Sequence, residues 1–178
     1  MVTNKLNNEA IQAHNELRAL HGCPKISYDS KLASDSQKWA EHLASINCLQ
    51  HSKADGYGEN LAFQMSTAGA SLNGREATRN WYDEISKHDF NGQNQPGTGH
   101  FTQVIWKSTN KAGFGSAKSK DGMKVYVVGR YKPAGNVIGH YTDNVPRPKK
   151  NAPPREEFIK VRERKMFNII ICNSLMDL

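Results

Sequence analysis

Apolar residues recur at every third or fourth position in three segments of the chain, a spacing that is typical of amphipathic helices. Ser30 stands where a side-chain cap of the second helix is expected. In the third segment, Ala77, Trp81 and Ile85 fall on one helix face because they are spaced by four residues. The pattern therefore predicts helices over residues 7–20, 30–45 and 75–88.

Two β-like runs, 112–119 and 123–131, follow in the second half of the chain. Lys120-Asp121-Gly122 lies between them and is a hairpin signal. A short apolar segment, 60–65, precedes them, and residues 100–106 fit either a strand or a short helix. Helices in the first half and a hairpin late in the chain predict an α+β domain.

The composition excludes some classes of protein. The chain has 178 residues, 24 Lys and Arg against 17 Asp and Glu, and a mean hydropathy of −0.71. No apolar run approaches the roughly 18 residues of a spanning helix, which excludes a membrane bundle. Residues 1–146 carry a net charge of only +3, and residues 147–178 carry +4. The basic excess lies mostly in the tail, so we expect no nucleic-acid binding by the body of the protein.

The character of the chain changes after Val145. Residues 146–155 are basic and rich in proline, which predicts that the chain leaves a domain of residues 1–145 as a linker. This linker is the first part of a basic extension of residues 146–178. The apolar cluster 166–172 beside basic residues is typical of a weak interfacial membrane anchor. The candidate membrane-binding residues are Lys149, Lys150, Arg155, Lys160, Arg162, Arg164 and Lys165. The alternatives are that the cluster packs on the domain or acts as a sticky strand, or that the extension is solvated and disordered.

The cysteines and the first residues indicate a reducing compartment. Cys23, Cys48 and Cys172 match no disulfide or zinc framework, which favours free thiols. The N-terminal residues lack the apolar stretch of a secretory signal peptide, so we expect an intracellular protein. Val2 stands where N-myristoylation requires glycine, so we expect no such anchor.

Five polar residues are candidates for chemistry: His51, Glu59, Glu84, His88 and His100. Two imidazoles and two carboxylates can hold zinc, and an open coordination position would allow hydrolysis. Their separations match no standard metal motif, so spacing alone favours surface or capping roles for each of them. Glu84 and His88 are four residues apart on one predicted helix face, where such a pair more often stabilises the helix than binds a metal.

The string Gly99-His100-Phe101-Thr102-Gln103-Val104-Ile105-Trp106 resembles the first signature of the CAP superfamily, which comprises the cysteine-rich secretory, antigen 5 and pathogenesis-related 1 proteins. Other segments resemble further blocks of that family in the same order. They are residues 13–22, 58–61 and 81–84, and residues 127–136, which resemble the second signature. The resemblance covers roughly residues 6–145.

The resemblance implies a fold and a site. The fold is a three-layer α-β-α sandwich with a central antiparallel sheet, and residues 100–106 form its short helix. His51, Glu59, Glu84 and His100 are implied to meet in one cleft as the family's tetrad and to bind a divalent metal, with Zn²⁺ as the expected ion. His88 is not part of this tetrad.

Gly129 stands where secreted members of the family carry cysteine, so the chain is similar to the intracellular, Golgi-associated branch. That branch implies a non-enzymatic protein that binds anionic phospholipid or sterol at the cytosolic face of Golgi or other membranes, with a homodimer as a candidate assembly. One alternative is a metal-dependent hydrolase, such as a protease, that uses the same tetrad. Another is export by a non-classical route, because much of the family is extracellular.

Overall fold

The computed structural model of the chain describes residues 4–53, 55–93 and 96–150. The helices and strands confirm the predicted α+β class and alternate along most of the chain. In order, they are α1 (Asn4–Leu20), β1 (Ser27–Tyr28), α2 (Ser30–Ile46), β2 (Gly58–Met65), α3 (Gly74–Tyr82) with a following 3₁₀ turn (Asp83–Lys87), α4 (Gly99–Ile105), β3 (Lys111–Lys118), β4 (Lys124–Lys132) and α5 (Tyr141–Asn144).

The sheet has four strands in the order β1-β3-β4-β2. β4 pairs antiparallel with both β2 and β3, and the β3–β4 connection is the predicted hairpin. The two-residue strand β1 pairs parallel with β3 at Ser27 and Tyr28, so the sheet is mixed rather than wholly antiparallel. Two residues are too few to show an alternating pattern, which is why the sequence did not predict this strand.

Helices cover both faces of the sheet, which confirms the three-layer sandwich. On one face α2 lies directly on β3. Gly113 and Gly115 permit this close approach, since a Cβ atom at either position would collide with the backbone of α2. On the other face Asn7 of α1 exchanges two hydrogen bonds with the backbone of Phe114, at 2.9 and 2.8 Å. There too, the Trp81 indole of α3 donates to the carbonyl of Leu61 at 2.8 Å.

Three helix boundaries differ from the prediction. The first helix, α1, begins at Asn4 rather than at residue 7. The cap of α2 is Asp29 rather than Ser30, since the Asp29 carboxylate accepts from the backbone nitrogen of Leu32 at 2.9 Å. The predicted helix over 75–88 ends at Tyr82 and continues as the 3₁₀ turn to Lys87. The tighter turn positions Glu84 against the start of α4, a tertiary contact that helical periodicity does not contain.

The first residues of the predicted extension lie against the domain. The carbonyl oxygen of Pro146 is 2.6 Å from Nδ1 of His21, and the backbone nitrogen of Lys149 donates to Leu20 at 2.8 Å. Lys149 and Lys150 are exposed. The other candidate membrane-binding residues, Arg155, Lys160, Arg162, Arg164 and Lys165, lie outside the described residues, as do the apolar cluster and Cys172. None of the helices in the described part of the chain is long and apolar enough to cross a membrane.

Candidate metal centre

His51 and Glu59 form the first of two histidine–carboxylate pairs. Glu59 is the second residue of β2, and His51 lies in the segment that joins α2 to β2. Nδ1 of His51 is 2.9 Å from Oε1 of Glu59. The imidazole is 55% exposed, whereas the carboxylate is only 7% exposed. The pair therefore presents a solvent-facing imidazole that is held from behind by a buried carboxylate.

Three further hydrogen bonds hold the Glu59 carboxylate. Ser52 donates to it from its backbone nitrogen at 2.9 Å and from its hydroxyl at 2.8 Å, and Nε of Arg130 donates at 3.2 Å. Burial alone raises the pKa of Glu59, but the hydrogen bonds from His51 and Ser52 and the charge of Arg130 outweigh it and lower the pKa overall. Glu59 is therefore ionised at neutral pH.

His100 and Glu84 form the second pair. Nδ1 of His100 is 2.7 Å from Oε1 of Glu84. The other oxygen of Glu84 accepts from the backbone nitrogens of His100 and Phe101, at 3.0 and 3.2 Å. Glu84 thus fixes both the imidazole and the backbone of the first turn of α4. Its side chain is 13% exposed and that of His100 is 29% exposed.

The two pairs leave the same atom of each imidazole available. A carboxylate accepts hydrogen bonds, so Nδ1 of each ring is the donor, and in a neutral ring Nε2 is then the nitrogen with the lone pair. No described residue forms a hydrogen bond with Nε2 of His51 or His100. A carboxylate on one nitrogen of a histidine is the usual arrangement when the other nitrogen ligates a metal.

Asn60 connects the two pairs. It follows Glu59 in β2, and its side chain donates to the carbonyl oxygen of His100 at 3.1 Å. Among the described residues, no three His, Cys, Asp or Glu side chains form a group that could hold a metal ion. The structure thus brings the four predicted residues together as two pairs. Their convergence on one ion remains a prediction, for which the residues fit as two imidazole ligands with two orienting carboxylates.

His88 does not pair with Glu84. Its Nδ1 is 3.1 Å from the hydroxyl of Thr98, and its ring lies against Phe90 and Phe101. Burial lowers the pKa of His88. The interpretation of Glu84 and His88 as a pair that stabilises one helix face is therefore wrong, because the α-helix ends at Tyr82 and Glu84 pairs with His100 instead. The position of His88 agrees with its exclusion from the tetrad. Cys23 and Cys48 are free thiols, as the sequence predicts.

Sequence reasoning missed Ser52 and Arg130, which hold Glu59. Arg130 is opposite Glu59 in the register of β2 and β4, and its side chain is 7% exposed. The signal in the sequence that could have identified Arg130 is a charged residue within the strongly apolar run of β4. That signal does not identify Glu59 as its partner, which becomes evident only from the pairing of β2 with β4.

The chain thus combines a helix–sheet–helix sandwich with two histidine–carboxylate pairs that Asn60 of β2 connects. The profile of the cysteine-rich secretory protein family (CAP) matches residues 11–131 of the chain. The chain therefore belongs to the CAP family.

Individual relatives agree with this assignment. The chain is 41% identical over 155 residues to the human Golgi-associated plant pathogenesis-related protein 1, covering 82% of this chain and 96% of that protein. It is 37% identical to the Candida albicans protein called Repressed by EFG1 protein 1, covering 80% of this chain but only 54% of that protein.

Solved structures show the same fold. BmVAL-1 superposes with a TM-score of 0.67 at 23% identity, covering 76% of this chain and 80% of BmVAL-1. NaASP2, in a crystal structure with Zn²⁺, superposes with a TM-score of 0.60 at 23% identity, covering 78% of this chain and 84% of NaASP2.

Proposed function

We propose that this CAP domain is a non-enzymatic binding module that holds a divalent metal ion and attaches to anionic membrane surfaces. One observation carries the metal site: each of two imidazoles has its Nδ1 held by a carboxylate that is at most 13% exposed. In this proposal, Nε2 of His51 and Nε2 of His100 ligate the ion, while Glu59 and Glu84 orient the rings. When bound, the ion supplies a Lewis acid at any open coordination position.

The membrane part of the proposal has two supports. One is the name of the human relative, which calls that protein Golgi-associated. The other is the excess of +4 in residues 147–178, which favours binding to anionic phospholipid. We therefore place this protein at the cytosolic face of Golgi or other membranes, with anionic phospholipid or sterol as its ligand and a homodimer as its possible assembly.

Zinc binding is the test of the metal site. Zn²⁺ is the ion to try first, since NaASP2 was crystallised with it. We expect calorimetry to detect zinc binding to the whole chain and to lose it in the double variant His51→Ala with His100→Ala. Glu59→Gln keeps both ligands but loses the orienting charge, so we expect a loss of affinity of about 10- to 100-fold. Affinity should also fall as the pH is lowered, because protons compete with zinc for the imidazole nitrogens.

His140→Ala is the matched control, because His140 is exposed and outside both pairs. It should bind zinc as the unchanged chain does. Equal zinc affinity in the His51→Ala, His100→Ala double variant and the control would contradict the proposed site.

Shortening the chain tests the role of the extension. Since Pro146 and Lys149 contact the domain, the shortened chain should end at Lys150 rather than at Val145. We expect it to keep its fold and its zinc affinity and to bind vesicles of phosphatidylserine and phosphatidylcholine several-fold more weakly than the whole chain. The main cause would be loss of the apolar cluster 166–172, because residues 151–178 hold five basic and four acidic residues and so carry a net charge of only +1. Added salt should weaken binding of the whole chain, because charge attraction to a surface is screened. Unchanged vesicle binding after shortening would show that the membrane surface lies on the domain itself.

A further inference from the structure

A cleft lies beside the first histidine–carboxylate pair, on the side of the sheet that α2 covers. Its volume is about 300 Å³. Side chains from α2, from the segment between α2 and β2, and from β4 line it. The ones that matter here are Lys38 and Trp39, Lys53 and Tyr57, and Arg130.

Arg130 is a nearly buried cation with unused hydrogen-bond donors. Its side chain is 7% exposed, its Nε donates to Glu59, and its guanidinium lies 4.3 Å from the centre of the Tyr57 ring. No described residue accepts a hydrogen bond from its two Nη atoms. In the described part of the chain, every buried side-chain nitrogen or oxygen has a hydrogen-bond partner, so the two Nη atoms, which have none, are not buried. Because Arg130 lines the cleft, we infer that these atoms face it.

The cleft has an excess of positive charge. Lys38 and Lys53 are exposed at its walls and form no ion pair with any described residue. Among the described lining residues the acidic one is Asp35, which is 2.8 Å from the ammonium of Lys31. The hydrogen bond from Lys31 lowers the pKa of Asp35, and the charges of Lys38 and Arg130 add to this effect. Glu59 balances part of the Arg130 charge but is itself shared with His51. Two lysines and the free edge of one guanidinium therefore face a space whose neighbouring carboxylates, Asp35 and Glu59, are each shared with a further cation or imidazole, which leaves an excess of positive charge.

We propose that this cleft binds a phosphate monoester, which the headgroup of a phosphatidic acid type of lipid would present. This inference rests on the proposed function, because it names the lipid group that the domain would recognise. A guanidinium edge binds two oxygens of one phosphate side by side, and lysines bind as point charges. A monoester offers three terminal oxygens and up to two negative charges, which suits three cations better than a diester does.

The size and walls of the cleft fit the same ligand. About 300 Å³ is at the low end of small-molecule sites, which is enough space for a phosphate headgroup. The rings of Trp39 and Tyr57 give apolar walls against which the carbon atoms of a glycerol unit can pack.

The test compares two double variants of the whole chain with equal changes of net charge. Lys38→Glu with Lys53→Glu reverses the two lysines of the cleft. Lys118→Glu with Lys120→Glu reverses two exposed lysines that do not line it. The probes are glycerol phosphate, followed by NMR, and vesicles of phosphatidylcholine that contain either phosphatidic acid or phosphatidylglycerol, followed by co-sedimentation.

We expect the cleft variant to lose about tenfold or more of its affinity for glycerol phosphate and for phosphatidic acid vesicles, and the control to lose less than about twofold. The unchanged chain should prefer phosphatidic acid to phosphatidylglycerol. If only glycerol phosphate distinguishes the variants, the phosphate site stands and its natural ligand is soluble. If the two variants behave alike with both probes, the proposal is wrong. Zinc affinity should be equal in both variants, so failure here is separate from failure of the metal site.

Discussion

Replacing Arg18 with methionine is expected to leave the domain unfolded at room temperature. Arg18 is fully buried, and its guanidinium donates to five backbone carbonyl oxygens. These belong to Pro24 and to the segment from Val104 to Thr109, so one side chain joins the end of α1 to the α4–β3 connection. Burial lowers the pKa of Arg18, but an arginine has so high a starting value that it remains charged.

The expected loss of stability follows from the carbonyl oxygens that methionine would leave without a hydrogen-bond donor. Each buried carbonyl that loses its donor costs about 1–3 kcal/mol, so several together approach the whole stability of a typical domain, about 5–15 kcal/mol. Arg18→Lys should fold but be several kcal/mol less stable, because an ammonium cannot reach acceptors on both sides as a planar fork does.

Urea unfolding followed by circular dichroism measures this difference. Arg75→Met is the matched control, because Arg75 forms an exposed ion pair with Glu16 on the helix surface. Such a pair contributes about 0–1 kcal/mol, so this variant should remain close to the unchanged chain. An Arg18→Met protein within about 1 kcal/mol of the control would show that other donors can replace the guanidinium.

Periodicity was sufficient for the long elements of this fold. The apolar stripes of α1 and α2 and the hairpin signal at Lys120-Asp121-Gly122 each have a local cause, and the structure confirms all three. The features that periodicity missed have tertiary causes. The change from helix to 3₁₀ turn after Tyr82 serves the contact of Glu84 with α4, and β1 exists only because β3 lies beside it.

In the candidate site too, features with a local cause were predicted and features with a tertiary cause were missed. Residue types identified His51, Glu59, Glu84 and His100 as candidates, but spacing could not pair them, and the resemblance to the CAP family was needed to group them. Which histidine belongs to which carboxylate depends on the loop between α2 and β2 and on the start of α4. The residues around Glu59 were missed because the pairing of β2 with β4 brings Arg130 beside it, from 71 positions away in the sequence.

A second large effect is expected from acid, through His14 at the centre of the core. Its side chain is fully buried between Ala10 and Tyr131. Nδ1 lies 2.8 Å from the carbonyl of Ala10 and so carries a proton, and Nε2 lies 2.9 Å from the Tyr131 hydroxyl. Because Nδ1 carries the proton of the neutral ring, Nε2 can only accept, so the Tyr131 hydroxyl donates to it and accepts from the side chain of Asn60 at 3.4 Å. A second proton on the ring would leave the proton of this hydroxyl without its acceptor.

Burial, the largest cause, lowers the pKa of His14 from 6.5 to about 3; the Ala10 hydrogen bond opposes this shift, and the charge of Arg18 adds to it. In the unfolded chain the imidazole binds its second proton near pH 6.5, whereas in the folded chain it stays neutral down to about pH 3. The unfolded state therefore binds more protons between these values, so stability is complete above pH 6.5 and is lost as the pH falls towards 3. This one residue should cost about 2 kcal/mol by about pH 5 and more than about 3 kcal/mol by about pH 4.

Urea unfolding at a series of pH values separates His14 from the other histidines. His14→Gln can keep a donor and an acceptor in the core but does not titrate, so we expect a protein that is less stable at neutral pH and has a flatter dependence of stability on pH below about 6.5. His140→Gln makes the same change at an exposed side chain and should keep the steep dependence. Burial also lowers the pKa of His21 and His88, so part of the acid sensitivity will remain in the His14→Gln protein. If His14→Gln and His140→Gln show the same slope, the buried imidazole is not what makes this fold sensitive to acid.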